Sequence, residues 1–196
     1  LDVATGTGDL AIELVQTIPS ITHVTGIDIS EEMMRIGGEK VRMLGLDRKI
    51  DFLRQDSAAT DFTEATFDAA TIGFGIRNFS DIPAAARELH RILRPSGVLI
   101  IVELSEPTNP ILHLGYKLYA GHIVPLIGRL MTEDKDAYSY LPQSIKAVPQ
   151  REQMVEILKE AGFREAFYES IFPGSCTIYV GINAAPIPFP TEDIAE

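Results

Sequence analysis

The ten residues from Leu1 to Leu10, Leu-Asp-Val-Ala-Thr-Gly-Thr-Gly-Asp-Leu, are the most informative part of the sequence about its architecture. Their apolar start predicts the end of a β-strand, residues 4–8 predict a glycine-containing turn, and the apolar spacing after Asp9 predicts a helix that ends before Pro19. A helix N-terminus offers free N–H groups, and glycines let a ligand approach the backbone, so this unit is typical of nucleotide binding. The pattern starts inside a strand, so we expect an N-terminally truncated chain that lacks the start of that strand.

The remainder of the chain alternates short apolar runs with helical periodicity, which predicts βαβ units around a parallel sheet. Further strands are predicted at His23–Ile29, Ile50–Arg54, Phe67–Gly73 and Val98–Leu104. Further helices are predicted at residues 31–44, 81–93 and 150–161.

The last two apolar runs differ from this alternation. Phe163–Ile171 and Cys176–Ile182 flank the four residues Phe-Pro-Gly-Ser, and such a short connection predicts an antiparallel hairpin. A dinucleotide-binding fold continues with parallel units, whereas the class I methyltransferase fold places a final antiparallel strand in its sheet. The expected fold is therefore an α/β, Rossmann-like class I methyltransferase sheet with a C-terminal hairpin.

Length and composition predict one domain over residues 1–183, with a helical cap at 106–147 and a flexible tail at 184–196. The 17 basic and 28 acidic side chains give a net charge of −11, which argues against nucleic-acid binding. Cys176 is the only cysteine, so no intramolecular disulfide can form, and a reducing compartment, the cytoplasm, is expected. No apolar run has the length of a membrane span, and the four histidines lack metal-ligand spacing.

Acidic residues at predicted strand ends indicate the ligand. Asp28 ends the second strand, where a carboxylate can accept from both ribose hydroxyls of NAD or of S-adenosylmethionine. Asp9, at the helix start, would repel a pyrophosphate but suits a sulfonium and an amino group. Asp56, followed by Ser57, ends the third strand, where it can accept from an adenine amino group. We therefore expect S-adenosylmethionine as the cofactor.

Three further segments carry a specific resemblance: Gly73-Phe-Gly-Ile-Arg-Asn-Phe79, Arg91-Ile-Leu-Arg-Pro-Ser-Gly-Val-Leu-Ile-Ile-Val-Glu-Leu-Ser105 and Tyr138-Ser-Tyr-Leu-Pro-Gln-Ser-Ile145. With the opening segment, they resemble the ubiquinone/menaquinone biosynthesis C-methyltransferases over residues 1 to about 182. The resemblance implies methyl transfer from S-adenosylmethionine to a ring carbon of a polyprenyl quinol, without a metal.

The resemblance also implies site residues. Cofactor contacts fall on the glycine turn, with Thr7 between Gly6 and Gly8, on Asp28 at the ribose, and on Asp56 with Ser57 at the adenine. Ala4 replaces the first glycine of the family's turn, which requires a negative φ there. Gly73 stands where members that act in ubiquinone synthesis often carry Ser, which favours demethylmenaquinol as the substrate. By this resemblance, we expect the family's N-terminal segment, with its own Tyr, His and Trp motif, to be missing from this chain.

The catalytic prediction follows from the chemistry of a phenolate. Arg77 is expected to stabilise it, with Asn78 as a hydrogen-bond donor. His122 is a candidate base or a structural histidine. Tyr138 and Tyr140 line the ring pocket or anchor the cap.

The apolar stretch Ile111–Met131 is either a lid for the prenyl tail, with transient membrane-surface contact at the inner face, or a cap packed on its own domain. The sequence also allows the protein to form a homo-oligomer. Three alternative functions remain: methylation of the benzoquinol precursor of ubiquinone, NAD-dependent oxidoreduction, and cofactor binding by a non-catalytic subunit.

Overall fold

A computed structural model describes residues 1–113, 144–145 and 147–183. The strands are β1 (Asp2–Val3), β2 (Val24–Asp28), β3 (Ile50–Arg54), β4 (Phe67–Gly73), β5 (Leu93–Leu104), β6 (Glu165–Ile171) and β7 (Cys176–Ile182). The helices are α1 (Asp9–Thr17), α2 (Glu31–Met43), α3 (Ile82–Ile92) and α4 (Glu152–Glu160), with a short 3-10 helix at Ile76–Asn78.

The described strands form one sheet in the order β3-β2-β1-β4-β5-β7-β6. β1 to β5 pair in parallel, whereas β7 runs antiparallel between β5 and β6. The C-terminal hairpin therefore enters the sheet with its second strand innermost, and the predicted methyltransferase architecture is confirmed.

The predicted boundary between α3 and β5 is wrong. β5 begins at Leu93, directly after the helix, because Leu93 already pairs with Phe67 and the register is then broken before Ala69 pairs with Val98. The extra residues form a tight bulge, in which a Cβ on Gly97 would lie 2.8 Å from the carbonyl oxygen of Arg94. Residues 94–97 thus form a bulge inside one strand.

The turn after β1, residues 4–8, packs against the aromatic ring of Phe52. The Phe52 side chain of β3 packs against Gly8, Gly26 and Gly37. A Cβ atom on these glycines would lie 2.6, 2.7 and 3.1 Å from the Phe52 ring, respectively. Three elements can therefore approach the ring only because they carry glycine at the contact. This packing fixes the turn after β1 against β2 and α2.

Two core clusters cover the sheet. α1 packs against β2 and α2 through Ala11, Ile12 and Val15, while the larger cluster joins β4 and β5 to α3 and α4. The core leaves the carboxyl ends of β1 to β4 open at one edge. None of the helices in the described ranges combines the length and apolar character that crossing a bilayer requires.

Most of the predicted cap lies outside the described residues. Asn109 accepts from the backbone N–H groups of Ile111 and Leu112 at 2.9 and 3.3 Å, which caps a helical turn at residues 110–113. Residues 114–143 and the predicted tail at 184–196 are not described.

Candidate functional site

A cavity of about 510 Å³ lies at the carboxyl ends of β1 to β4. Its walls come from the turn after β1, from the residues that follow β2, β3 and β4, and from the start of α3. Open α/β sheets bind ligands at this edge, and the volume is ordinary for a small-molecule site. The fold thus brings the predicted strand-end residues to one place.

The charge of the cavity wall has one sign. Its charged residues, within the described part of the chain, are Asp28, Asp56 and Asp81, and that part contributes no Lys, Arg or His to the wall. Asp81 also caps α3, since its Oδ1 accepts from the N–H of Ala84 at 2.8 Å. Three carboxylates disfavour an anionic pyrophosphate and favour a ligand that carries positive charge.

Asp28 joins two loops at the centre of this wall. Its Oδ2 accepts from the N–H of Gly6 at 2.9 Å, and its Oδ1 accepts from the N–H of Ser30 at 2.9 Å. Each carboxylate oxygen has a second lone pair, so both can still accept from a ribose hydroxyl. Two backbone donors therefore hold the carboxylate in position for the predicted contact.

Asp56 and Ser57 lie on the wall beyond β3. Asp56 Oδ1 accepts from the N–H of Ala58 at 2.9 Å, and its carbonyl oxygen accepts from the N–H of Ala59 at 3.1 Å. These bonds close a tight turn that fixes the carboxylate at the cavity. The predicted adenine contact is compatible with this placement and stays a prediction.

The expected negative φ at Ala4 is wrong. Ala4 has a φ of 53° and Gly6 a φ of 55°, and both line the cavity. Alanine fits at this position because the residue opposite it is glycine. Any side chain on Gly75 would collide with Ala4, since a Cβ on Gly75 would lie only 2.6 Å from the Ala4 Cβ. Gly75 provides the room that the Ala4 methyl group occupies, at the cost of a left-handed conformation at Ala4.

Thr7, Gly8 and Asp9 do not form part of the cavity wall. The Thr7 hydroxyl donates to Asp9 Oδ2 at 2.7 Å, and Lys40 Nζ donates to Thr7 Oγ1 at 2.9 Å and to Asp9 Oδ1 at 2.7 Å. Hydrogen bonding from Lys40 lowers the pKa of the Asp9 carboxyl. Lys40 therefore offsets the charge of Asp9, and it is the three aspartates of the wall that disfavour a pyrophosphate. The predicted cofactor contacts of Thr7 and Gly8 stay predictions.

Of the two predicted catalytic residues, Asn78 lies on the cavity wall and Arg77 does not. Arg77 instead donates through Nη1 to Glu103 Oε1 at 2.6 Å, and its backbone N–H donates to Glu103 Oε2 at 3.2 Å. The Glu103 side chain is only 2% exposed, so this is a buried ion pair that holds the 3-10 helix against β5.

The ubiE/COQ5 methyltransferase family model matches residues 1–183. The chain belongs to this family. As a member of it, the chain is a methyltransferase, so the predictions of family and enzyme class are confirmed and the oxidoreductase alternative is excluded.

Curated relatives agree with the family assignment, and a solved structure shares the fold. The demethylmenaquinone methyltransferase of Porphyromonas gingivalis is 47% identical over 183 residues, which are 93% of this chain and 75% of the relative. The ubiquinone/menaquinone biosynthesis C-methyltransferase UbiE of Dinoroseobacter shibae is 36% identical over 181 residues, or 92% and 72% of the two chains. The structure of a SAM-dependent methyltransferase from Aquifex aeolicus shares the fold, with a TM-score of 0.66 at 21% identity, over 92% of this chain and 79% of that one.

Sequence reasoning assigned no role to two buried carboxylates of this methyltransferase. Glu103 interrupts an apolar central strand, and that interruption was an available signal for a buried partner. Asp2 lies under the glycine turn, where its carboxylate accepts from the hydroxyls of Thr5 at 2.6 Å and Thr71 at 2.8 Å. Burial raises the pKa of Asp2, while the two hydroxyl donors oppose that shift.

The remaining predicted residues fall outside the described part of the chain. His122, Tyr138 and Tyr140 belong to residues 114–143, so their predicted roles as base and ring pocket stay predictions. The residues that the structure does describe contain no cluster of three His, Cys, Asp or Glu side chains that could hold a metal ion.

Proposed function

We propose that this methyltransferase transfers a methyl group from S-adenosylmethionine to a ring carbon of a polyprenyl demethylmenaquinol, producing the menaquinol. The observation that carries the proposal is the cavity wall with three aspartates and, among the described residues, no cationic side chain. S-adenosylmethionine brings a sulfonium and an ammonium group, so its charge complements this wall. The names of the relatives supply the acceptor class.

The described residues fit the cofactor in two places. Asp28 has spare acceptor capacity for the ribose hydroxyls, and Asp56 with Ser57 lies beyond the neighbouring strand, where the adenine would bind. When bound, the cofactor supplies an electrophilic methyl group and its own leaving group. These residues would hold the adenosine portion of the cofactor at the end of the cavity formed by the residues after β2 and β3.

The acceptor must be the reduced quinol, because only a quinol has a hydroxyl whose ionisation places electron density on the neighbouring ring carbon. Asn78, on the cavity wall after β4, is proposed to donate a hydrogen bond to that oxygen. Arg77 acts from the buried side, where its ion pair with Glu103 fixes the 3-10 helix that presents Asn78. His122 stays the proposed base.

Two features favour the naphthoquinol acceptor over the benzoquinol precursor of ubiquinone. The two relatives named demethylmenaquinone methyltransferase from Porphyromonas gingivalis and Bacteroides fragilis are 47% and 41% identical, against 36% for the UbiE relative from Dinoroseobacter shibae. Gly73, on the cavity wall, also lacks the hydroxyl that the family resemblance associates with ubiquinone synthesis.

A polyprenyl acceptor implies contact with a membrane surface, which we propose to be transient and at the cytoplasmic face. The net charge of −11 opposes adsorption to anionic lipid, so the contact would be apolar. Ile111, at the start of the predicted lid, is 81% exposed and is one candidate for such a contact.

Mass spectrometry of the products tests this proposal. The full-length enzyme is incubated with S-adenosylmethionine and with reduced demethylmenaquinone, oxidised demethylmenaquinone or the reduced benzoquinone precursor. We expect the naphthoquinol to gain one methyl group, and the oxidised quinone to gain none because it has no ionisable hydroxyl. Faster methylation of the benzoquinol would overturn the choice of acceptor, and methylation of neither ring would overturn the function.

A further inference from the structure

We infer that Phe74 is the residue that positions the acceptor ring, by stacking on the quinol at the β4 end of the cavity. This inference rests on the proposed function. It begins with the backbone, because Phe74 has a φ of 55°, in the left-handed region that favours glycine. A bulky aromatic residue in that region carries a conformational cost.

Contacts on both sides impose this conformation. The N–H of Phe74 donates to the carbonyl oxygen of Val102 at 2.8 Å, which ties its amide to β5. The next residue is Gly75, which is packed against Ala4, and then Ile76, which is buried and begins the 3-10 helix. The backbone is thus fixed before and after Phe74, and the direction of its Cα–Cβ bond is fixed with it.

Core packing does not explain why an aromatic residue occupies this position. The Phe74 residue is 47% exposed and lines the cavity, and it belongs to neither core cluster. Phe79 offers a comparison within the same wall, because it lines the cavity and also packs against the larger core cluster. Strain that is not repaid by burial is characteristic of functional positions.

The position of Phe74 in the sheet indicates which ligand it contacts. Asp56 follows β3 and Phe74 follows β4, and the strand order places three inter-strand spacings, about 14 Å, between these ends. Asp28 lies between them, after β2. If Asp28 and Asp56 hold the adenosine portion, Phe74 lies at the opposite end of the cavity, beside the methyl group that is transferred. The acceptor ring must bind there, and Asn78 is on the same part of the wall.

Aromatic stacking suits this task. It holds a flat ring in a defined plane without adding a charge near the developing phenolate, and orientation of the reacting carbon is the main requirement for an in-line transfer. A two-ring naphthoquinol presents more surface to Phe74 than a one-ring benzoquinol. Phe74 is therefore expected to contribute to the choice between the two acceptors.

The test compares Phe74→Leu with Phe74→Tyr in the full-length enzyme. We expect Phe74→Leu to lower kcat/KM for the naphthoquinol about fivefold, the size of one aromatic contact. The ratio of naphthoquinol to benzoquinol kcat/KM should fall too, while the Kd for S-adenosylhomocysteine stays within error. Phe74→Tyr keeps the ring and should retain wild-type selectivity. Phe167→Leu is the matched control, because Phe167 is 51% exposed on the edge strand β6 and should change none of these values.

Unchanged naphthoquinol kinetics in Phe74→Leu would overturn the inference, as would a loss that appears only as weaker cofactor binding. If Phe74→Leu does not fold, Phe74→Tyr and Phe74→Trp still decide, because a stacking role predicts that both retain the acceptor preference. Failure of the wild-type enzyme to methylate any quinol would instead overturn the proposed function, so the two failures are distinguishable.

Discussion

Replacing Arg77 with alanine is expected to destabilise the protein and to abolish turnover. Glu103 is 2% exposed and accepts from both the guanidinium and the backbone N–H of Arg77. Removing the guanidinium leaves a buried carboxylate without its counter-charge, which costs roughly 3 to 5 kcal/mol of unfolding free energy. The 3-10 helix that carries Asn78 would lose its anchor on β5, so turnover should fall while the cofactor-binding aspartates remain in place. Urea unfolding and the methylation assay measure the two effects.

Two control variants separate the ion pair from a general effect of losing an arginine. Arg94→Ala breaks an exposed pair with Asp68, so we expect a change below about 1 kcal/mol. The double variant Arg77→Met with Glu103→Gln removes both buried charges, so it should recover stability without recovering turnover. Wild-type stability in Arg77→Ala would show that the ion pair is unimportant, and wild-type turnover would refute the role assigned to Arg77.

Replacing Asp28 with asparagine is expected to weaken the binding of S-adenosylhomocysteine by about tenfold to hundredfold, the range for losing hydrogen bonds to a charged group. Asparagine has nearly the same shape but only one oxygen, and Gly6 and Ser30 already donate to the two oxygens of Asp28. One of the ribose hydroxyls would therefore meet an N–H₂ group instead of an acceptor. Isothermal titration calorimetry measures the change.

Asp68→Asn is the matched control for charge, because Asp68 is 82% exposed and pairs with Arg94 outside the cavity. It should leave cofactor affinity unchanged. If Asp28→Asn binds S-adenosylhomocysteine as tightly as the wild type, Asp28 does not hold the ribose.

Local patterns in the sequence were sufficient to predict the elements that carry the site. Residues 50–54 and 67–73 form strands with the predicted bounds, because each is a short segment in which apolar residues predominate, set between polar or glycine-rich segments. Strand ends in a parallel sheet meet at one edge, so the placement of Asp28 and Asp56 on one cavity wall also followed from spacing alone.

Contacts between distant residues could not be predicted in this way. Lys40 contacts Asp9, which is 31 residues away in the sequence, and Arg77 contacts Glu103, which is 26 residues away. No local sequence pattern predicts either pair. The positive φ of Ala4 has the same origin, since its methyl group fits only because Gly75 lies opposite. The charge of the cavity wall became apparent only when the fold had separated Asp28, Asp56 and Asp81 from the basic side chains.

We propose that this acidic cavity binds a cationic adenosyl cofactor. Calorimetric titration of the full-length protein with S-adenosylmethionine and, separately, with NAD measures this binding. We expect saturable one-to-one binding of S-adenosylmethionine and no binding of NAD. Binding of NAD, or of neither compound, would contradict it.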